Sequence, residues 1–194
     1  EAFWEVEAGE ETAARGRWLK GPGQDFMAAL TAEFGECPFI VEDLGTITPE
    51  VRTLKEIFGL PGVKVLQFSP LAELAGEGDG NLVYYTGTHD NDTLLGWYRG
   101  LKQGTEPAAT GAPGEEDDGL RACRQIMAEL YSSPAAWVIV PMQDILGLGE
   151  EARMNVPGKV HGNWKWQLEA DLDLREIKEE LRSLAAAGGR LGRH

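Results

Sequence analysis

Basic residues are scarce: 18 Lys and Arg face 32 Asp and Glu, for a net charge of -14. So acidic a chain repels phosphate backbones, which argues against nucleic acid as a partner. No apolar run approaches the roughly eighteen residues needed to cross a bilayer, and no basic amphipathic stretch suits a membrane surface, so no membrane contact is expected. Cysteine is nearly absent, and Cys37 and Cys123 stand far apart in no metal-ligand spacing. They read as reduced, structural thiols of a cytoplasmic protein. No GxGxxG or P-loop pattern follows any apolar run, which removes the usual nucleotide-binding turns. The chain opens on Glu1 with no initiator Met and none of the basic and apolar regions of a signal peptide, so it reads as an excerpt of a longer frame.

What remains is enough to fold. Hydrophobic residues make up 42% of 194 residues, sufficient for the core of one domain or slightly more. Four short runs rich in β-branched or aromatic residues read as strands: 38–43 (PFIVED), 63–68 (VKVLQF), 82–88 (LVYYTGT) and 136–142 (AWVIVPM). Helical patterns lie between and beyond them. One starts at Thr48, whose hydroxyl can cap a helix with Pro49 in its first turn and Val51, Leu54 and Phe58 on one face. Others span 25–34, 120–131 and 173–187, the last with Leu174, Ile177, Leu181 and Leu184 on its buried side. Near-continuous apolar strands alternating with helices predict an α/β fold with parallel sheet, either a (β/α) barrel or a doubly wound sheet.

The strands end in acids: Glu42 and Asp43 after the first, His89-Asp90-Asn91-Asp92 after the third, and Gln143-Asp144 after the fourth. Barrel enzymes place their chemistry at such strand ends. Four strands amount to half of an eight-stranded barrel, and an open half leaves sheet edges uncovered. The segment 100–119, rich in Gly, Pro, Ala and acids, reads as a mobile surface loop, and 188–194 as a frayed tail.

Glu42 and Asp90 resemble a carboxylate pair facing one cleft, as glycosyl transfer requires. A carboxyl at the edge of an apolar strand is expected to have a raised pKa, fit for donating a proton to a leaving oxygen. The competing reading makes Glu42 or Asp43 a helix cap or an ion-pair partner, and it suits Asp43 better. For His89 to Asp92 the rival is a metal site. The other histidines, His161 and His194, form no second cluster, so a His-rich metal centre is not expected. Trp164 and Trp166 invite a sugar-stacking role, although tryptophans spaced by one residue more often pack a loop onto a core.

Six strings occur in order across nearly the whole chain: GRWLKGPG (16–23), VEDLGTITPEV (41–51), FGLPGVKVLQF (58–68), YTGTHDND (85–92), PMQDILGLGEEARMNVPG (141–158) and GNWKWQL (162–168). Together they resemble the amylomaltases, bacterial 4-α-glucanotransferases of glycoside hydrolase family 77. The resemblance implies the C-terminal half, strands 5 to 8, of a (β/α)8 TIM barrel over residues 1–194. It implies a retaining enzyme acting on maltooligosaccharides and α-1,4-glucans without metal or organic cofactor. Glu42 maps onto the family acid/base and Asp90 onto its transition-state-stabilising aspartate. His89 maps onto the histidine that hydrogen-bonds the sugar at the cleavage point, and Asn155 onto a residue lining the cleft. Asn91 is a further substrate-binding candidate.

The family nucleophile, the Asp of an Arg-x-Asp-His motif, does not occur in this chain, and the resemblance places it upstream of Glu1. The 194 residues alone are therefore expected to be inactive, and a half-barrel expressed alone to self-associate or at most to bind glucan. The stretches 69–81 and 100–135 are shorter than their family equivalents.

Overall fold

The computed structural model describes residues 1–35, 39–69, 80–104 and 116–192. Two compact units emerge, Glu1–Val63 and Lys64–His194. Their secondary structure is mixed α and β.

The first unit opens with two strands that the apolar pattern does not predict. β1 (Ala2–Glu5) pairs antiparallel with β2 (Arg17–Lys20), in a register that sets Trp4 opposite Trp18 and Glu5 opposite Arg17. The two indoles meet edge to face at 5.4 Å, Arg17 Nε and Nη2 both donate to Glu5 Oε2, and the Trp4 indole N–H reaches Ala13 O at 2.9 Å. A Cβ at Gly16 would overlap the Trp4 indole, which explains the glycine that opens GRWLKGPG.

α1 (Gly23–Phe34) and α2 (Pro49–Ile57) follow. α2 begins as its sequence dictates, with Thr48 Oγ1 accepting from the Val51 N–H and Pro49 in the first turn. It ends in a Schellman turn: Gly59 takes φ +59°, its N–H bonds Glu56 O, and the Leu60 N–H bonds Lys55 O. Val51, Leu54 and Phe58 form its half-buried stripe.

The run 38–43 is not a strand over its described residues, and Pro38 lies outside them. A strand needs a ladder of partners. Here Val41 N–H finds Pro61 O, and the Asp43 N–H turns back onto Val41 O at 3.0 Å.

A three-stranded sheet is ordered β3-β4-β5, with β3 at Gly62–Val65, where the chain passes from the first unit to the second, β4 at Leu82–Tyr85 and β5 at Trp137–Ile139. β4 and β5 run parallel, with Tyr84 opposite Val138. Each strand is shorter than its apolar run. β3 gives way to a 3-10 turn at Leu66–Phe68, and β5 stops before Pro141, which lacks the N–H a ladder needs and instead starts the short helix α5 (Met142–Ile145).

Between β4 and β5 lie α3 (Leu94–Gly104) and α4 (Glu116–Tyr131). Helix thus occupies both ends of the segment expected to be a loop, and 105–115 lies outside the described residues. The core joins Leu66 and Tyr84 to Leu94 and Leu95 of α3 and to Cys123, Ile126, Met127 and Leu130 of α4. Full burial of a side chain such as Leu94 or Leu130 contributes about 1.5–3 kcal/mol. Burial also pushes the Cys123 thiol up to about 12, with Asp144 adding to the effect and Arg99 opposing it.

α6 (Arg175–Ala187) lays Leu184 against this core. Within the stretch 188–194 expected to fray, Gly188 to Arg190 are anchored, and 193–194 lie outside the described residues. Gly189 takes φ +67° in a second Schellman turn, with the Arg190 N–H bonding Ala185 O. The Arg190 guanidinium then donates to Tyr131 O at 2.6 Å, Ser133 O at 2.7 Å and Ala135 O at 2.9 Å.

Candidate active site

The segment between β4 and α3 is organised from within. Asn91 Oδ1 accepts from the Thr88 N–H at 2.9 Å and from the Thr88 hydroxyl at 2.7 Å, while the Asn91 N–H bonds Thr88 O. Asn91 is buried, with its carboxamide oxygen committed to the turn. Thr93 Oγ1 accepts from the Gly96 N–H and starts α3. Two groups outside the predicted site set, half-buried Gln67 and buried Asp144, hold this segment to the scaffold. Gln67 Nε2 donates to Asp92 O at 2.7 Å. Asp144, 3% exposed, accepts from the Thr86 hydroxyl at 2.6 Å and from the Leu94 N–H at 2.7 Å. Burial raises the Asp144 pKa, and the charge of Asp92 adds to this, while the Leu94 and Thr86 hydrogen bonds pull it back.

This frame presents His89 and Asp90 outward. Asp90 is half exposed, and its Oδ1 accepts from Asn155 Nδ2 at 2.5 Å and lies 3.5 Å from His89 Nε2. Asp90, His89 and Asn155, named separately from the sequence, therefore meet in space. Arg153 holds the pair from behind: its Nη2 donates to Asp90 O at 2.7 Å and its Nε to Asn155 O at 2.9 Å, with Nη1 4.0 Å from Asp92 Oδ2. Arg153 stands two residues before Asn155 in the same string, so a signal for it existed. One carboxylate, one carboxamide and one imidazole thus converge on solvent, with their backbones fixed by a guanidinium.

Trp164 borders the cluster. Its indole centroid lies 5.2 Å from that of His89, the rings tilted by 36°. It is 61% exposed, whereas Trp166 is half-buried. Its φ of +59° is the single positive value at a non-glycine among the described residues, a conformation costing on the order of 1–3 kcal/mol. The surroundings impose it. The Trp164 N–H bonds Met154 O at 2.7 Å, and the Asn163 carboxamide pairs with both N–H and O of Val156 and with Lys159 O.

Glu42 belongs to the first unit and is described there by itself. Its side chain is exposed, so the described residues give it none of the burial expected at the edge of an apolar strand. Its backbone is pinned on both sides. Val41 bonds Pro61 O, and Asp43 places Oδ2 2.6 Å from Lys55 Nζ of α2 and Oδ1 2.7 Å from the Val63 N–H. Burial tends to raise the Asp43 pKa, but the Lys55 and Val63 interactions outweigh it and leave the carboxyl below its usual range. Asp43 is thus an ion-pair partner, and its neighbour Glu42 is exposed. A cleft of about 600 Å3 in the same unit, lined by Lys20, Gly23, Asp25, Glu50 and Thr53 among others, does not include Glu42.

A lowered folded-state pKa stabilises the fold above the unfolded value of about 3.9, and that stability is lost as pH falls through the folded value. Asp43→Ala is therefore expected to cost about 2 kcal/mol at pH 7, by loss of a charge-assisted bond and of the Val63 acceptor. The cost should be smaller at a pH below the lowered folded value than at pH 7. Urea denaturation of both proteins at the two pH values checks this, and a pH-independent difference would contradict the ion-pair role.

Among the described residues no three His, Cys, Asp or Glu side chains gather as metal ligands would. No helix among them is long and apolar enough to cross a membrane.

Comparison with known proteins places these features in context. A family model described as 4-alpha-glucanotransferase, glycoside hydrolase family 77, matches residues 1–173. The chain is 42% identical over 204 residues to a 4-alpha-glucanotransferase of Thermus thermophilus and 40% identical over 194 residues to one of Aquifex aeolicus, covering 98% of this chain each time. It spans 40% of the length of each of these relatives. Its fold superposes on an amylomaltase from Streptococcus agalactiae in complex with acarbose, with a TM-score of 0.78 and 26% identity over 97% of this chain and 39% of the other.

Proposed function

Because the chain belongs to glycoside hydrolase family 77, the 4-alpha-glucanotransferases, we propose that it supplies the C-terminal half of a (β/α)8 barrel that moves a segment of an α-1,4-glucan onto the 4-hydroxyl of an acceptor sugar. β3, β4 and β5 are barrel strands in this reading. β5 is an edge of the described sheet, where a further strand would pair.

The observation that carries the proposal is the convergence of Asp90, Asn155 and His89 beyond β4. Glu42 protonates the glycosidic oxygen while a carboxylate from sequence preceding Glu1 attacks the anomeric carbon, giving a covalent glucosyl intermediate. Asp90 stabilises the positive charge that develops on the sugar ring. His89 and Asn155 hold that sugar, and Asn91 positions His89 and Asp90 through the turn. Glu42 then takes the proton of the acceptor 4-hydroxyl, whose oxygen displaces the enzyme carboxylate with retention of configuration. Transfer prevails over hydrolysis where the acceptor outcompetes water in the cleft.

The test is to feed maltotriose to the protein expressed from its complete coding sequence. Glucose together with longer maltodextrins is the expected result. Glucose and maltose without elongation would make the protein a hydrolase and overturn the transferase reading.

A further inference from the structure

We propose that Trp164 is an aromatic platform for a glucosyl ring of the bound glucan, beside the sugar held by His89 and Asp90. The inference rests on the glucan-binding reading above and extends it to a residue outside the hydrogen-bonding set. At 61% exposure the indole cannot be serving as core. Its backbone nevertheless adopts a left-handed conformation that glycine would take freely and a bulky residue resists. Such strain persists where the surroundings over-determine it and a function uses it.

The bonds that impose it, from Trp164 N–H to Met154 O and from Asn163 to Val156 and Lys159, tie the indole-bearing turn to the stretch that carries Asn155. The flat ring is therefore fixed relative to Asn155, Asp90 and His89, with its neighbour His89 at 5.2 Å. A pyranose presents apolar C–H faces and a hydroxyl rim. An exposed aromatic face beside a carboxylate, a carboxamide and an imidazole matches both surfaces at once.

The left-handed backbone also supplies a clean experiment, because Trp164→Gly removes the ring while relieving the conformation. Affinity for maltoheptaose is measured by titration calorimetry on the protein expressed from its complete coding sequence, in a Glu42→Gln background so that the ligand is not consumed, with melting temperatures recorded in parallel. W164G is expected to bind about fivefold more weakly or worse without a lower melting temperature, and Trp164→Phe to stay within about twofold of the parent. Undiminished affinity in W164G, or a loss in W164F as large as in W164G, overturns the platform and leaves the glucan reading standing. A loss in W164G matched by a lower melting temperature makes Trp164 structural and likewise overturns it. A Glu42→Gln parent that does not bind maltoheptaose overturns both readings together.

Discussion

Replacing Glu42 by glutamine in the protein expressed from its complete coding sequence is expected to lower maltotriose turnover about a thousandfold, with transfer and hydrolysis falling together. Glutamine keeps the size and the outward position of the side chain but has no acidic proton to give the leaving oxygen and no basic oxygen to receive the acceptor proton. Both halves of a double displacement therefore fail. The fold should be indifferent. Glu42 is exposed, and its backbone is held by Val41 and Asp43 rather than by its own carboxyl. The decisive comparison is between maltotriose and an α-maltosyl fluoride, whose leaving group needs no proton. The first half-reaction should recover with the fluoride alone. Unchanged turnover of maltotriose would remove Glu42 from the acid/base role.

Asp90→Asn should reduce kcat by about 10²–10³-fold with a much smaller change in KM. The amide oxygen of the new side chain can still accept from Asn155 Nδ2, so the local hydrogen bond and the melting temperature should survive. What disappears is the negative charge facing the sugar. A group that stabilises charge only as it develops affects kcat, whereas one that merely binds substrate affects KM. Steady-state kinetics with maltotriose separates the two, and a raised KM at constant kcat would make Asp90 a binding residue only.

Sequence made α2 and α6 legible, whereas α3 and the short α5 went unpredicted. Thr48 with Pro49 marks the start of α2, and the stripe of α6 is the one its periodicity predicts. Strand bounds were overdrawn because apolar content measures burial, whereas a strand also needs a partner and a free N–H; the run 38–43 lacks a ladder, and Pro141 ends the last run. β1 and β2 escaped notice because their stability comes from a Trp4–Trp18 pair and a Glu5–Arg17 pair that only register brings opposite each other. The acids at 116–118 read as part of a solvated loop, yet acidic residues suit the first turn of a helix, where α4 begins.

At the candidate site, residue types were readable and roles were less so. Asn91 looks like a ligand-binding amide in sequence, but its oxygen belongs to Thr88. Trp164 and Trp166 look alike in sequence, yet a backbone angle and a neighbouring imidazole set one apart. Arg153 is flagged by its place in the same string as Asn155, but its partners are main-chain oxygens, which only the fold brings to it.

Arg190 bears on how the second unit comes apart. A helix held by one face alone can unzip residue by residue. Here release of α6 would strand the carbonyls of Tyr131, Ser133 and Ala135 without their shared donor and strip Leu184 from the core that α4 completes. The stretch after α6 and the approach to β5 are thus joined through one guanidinium, which favours their opening together rather than separately.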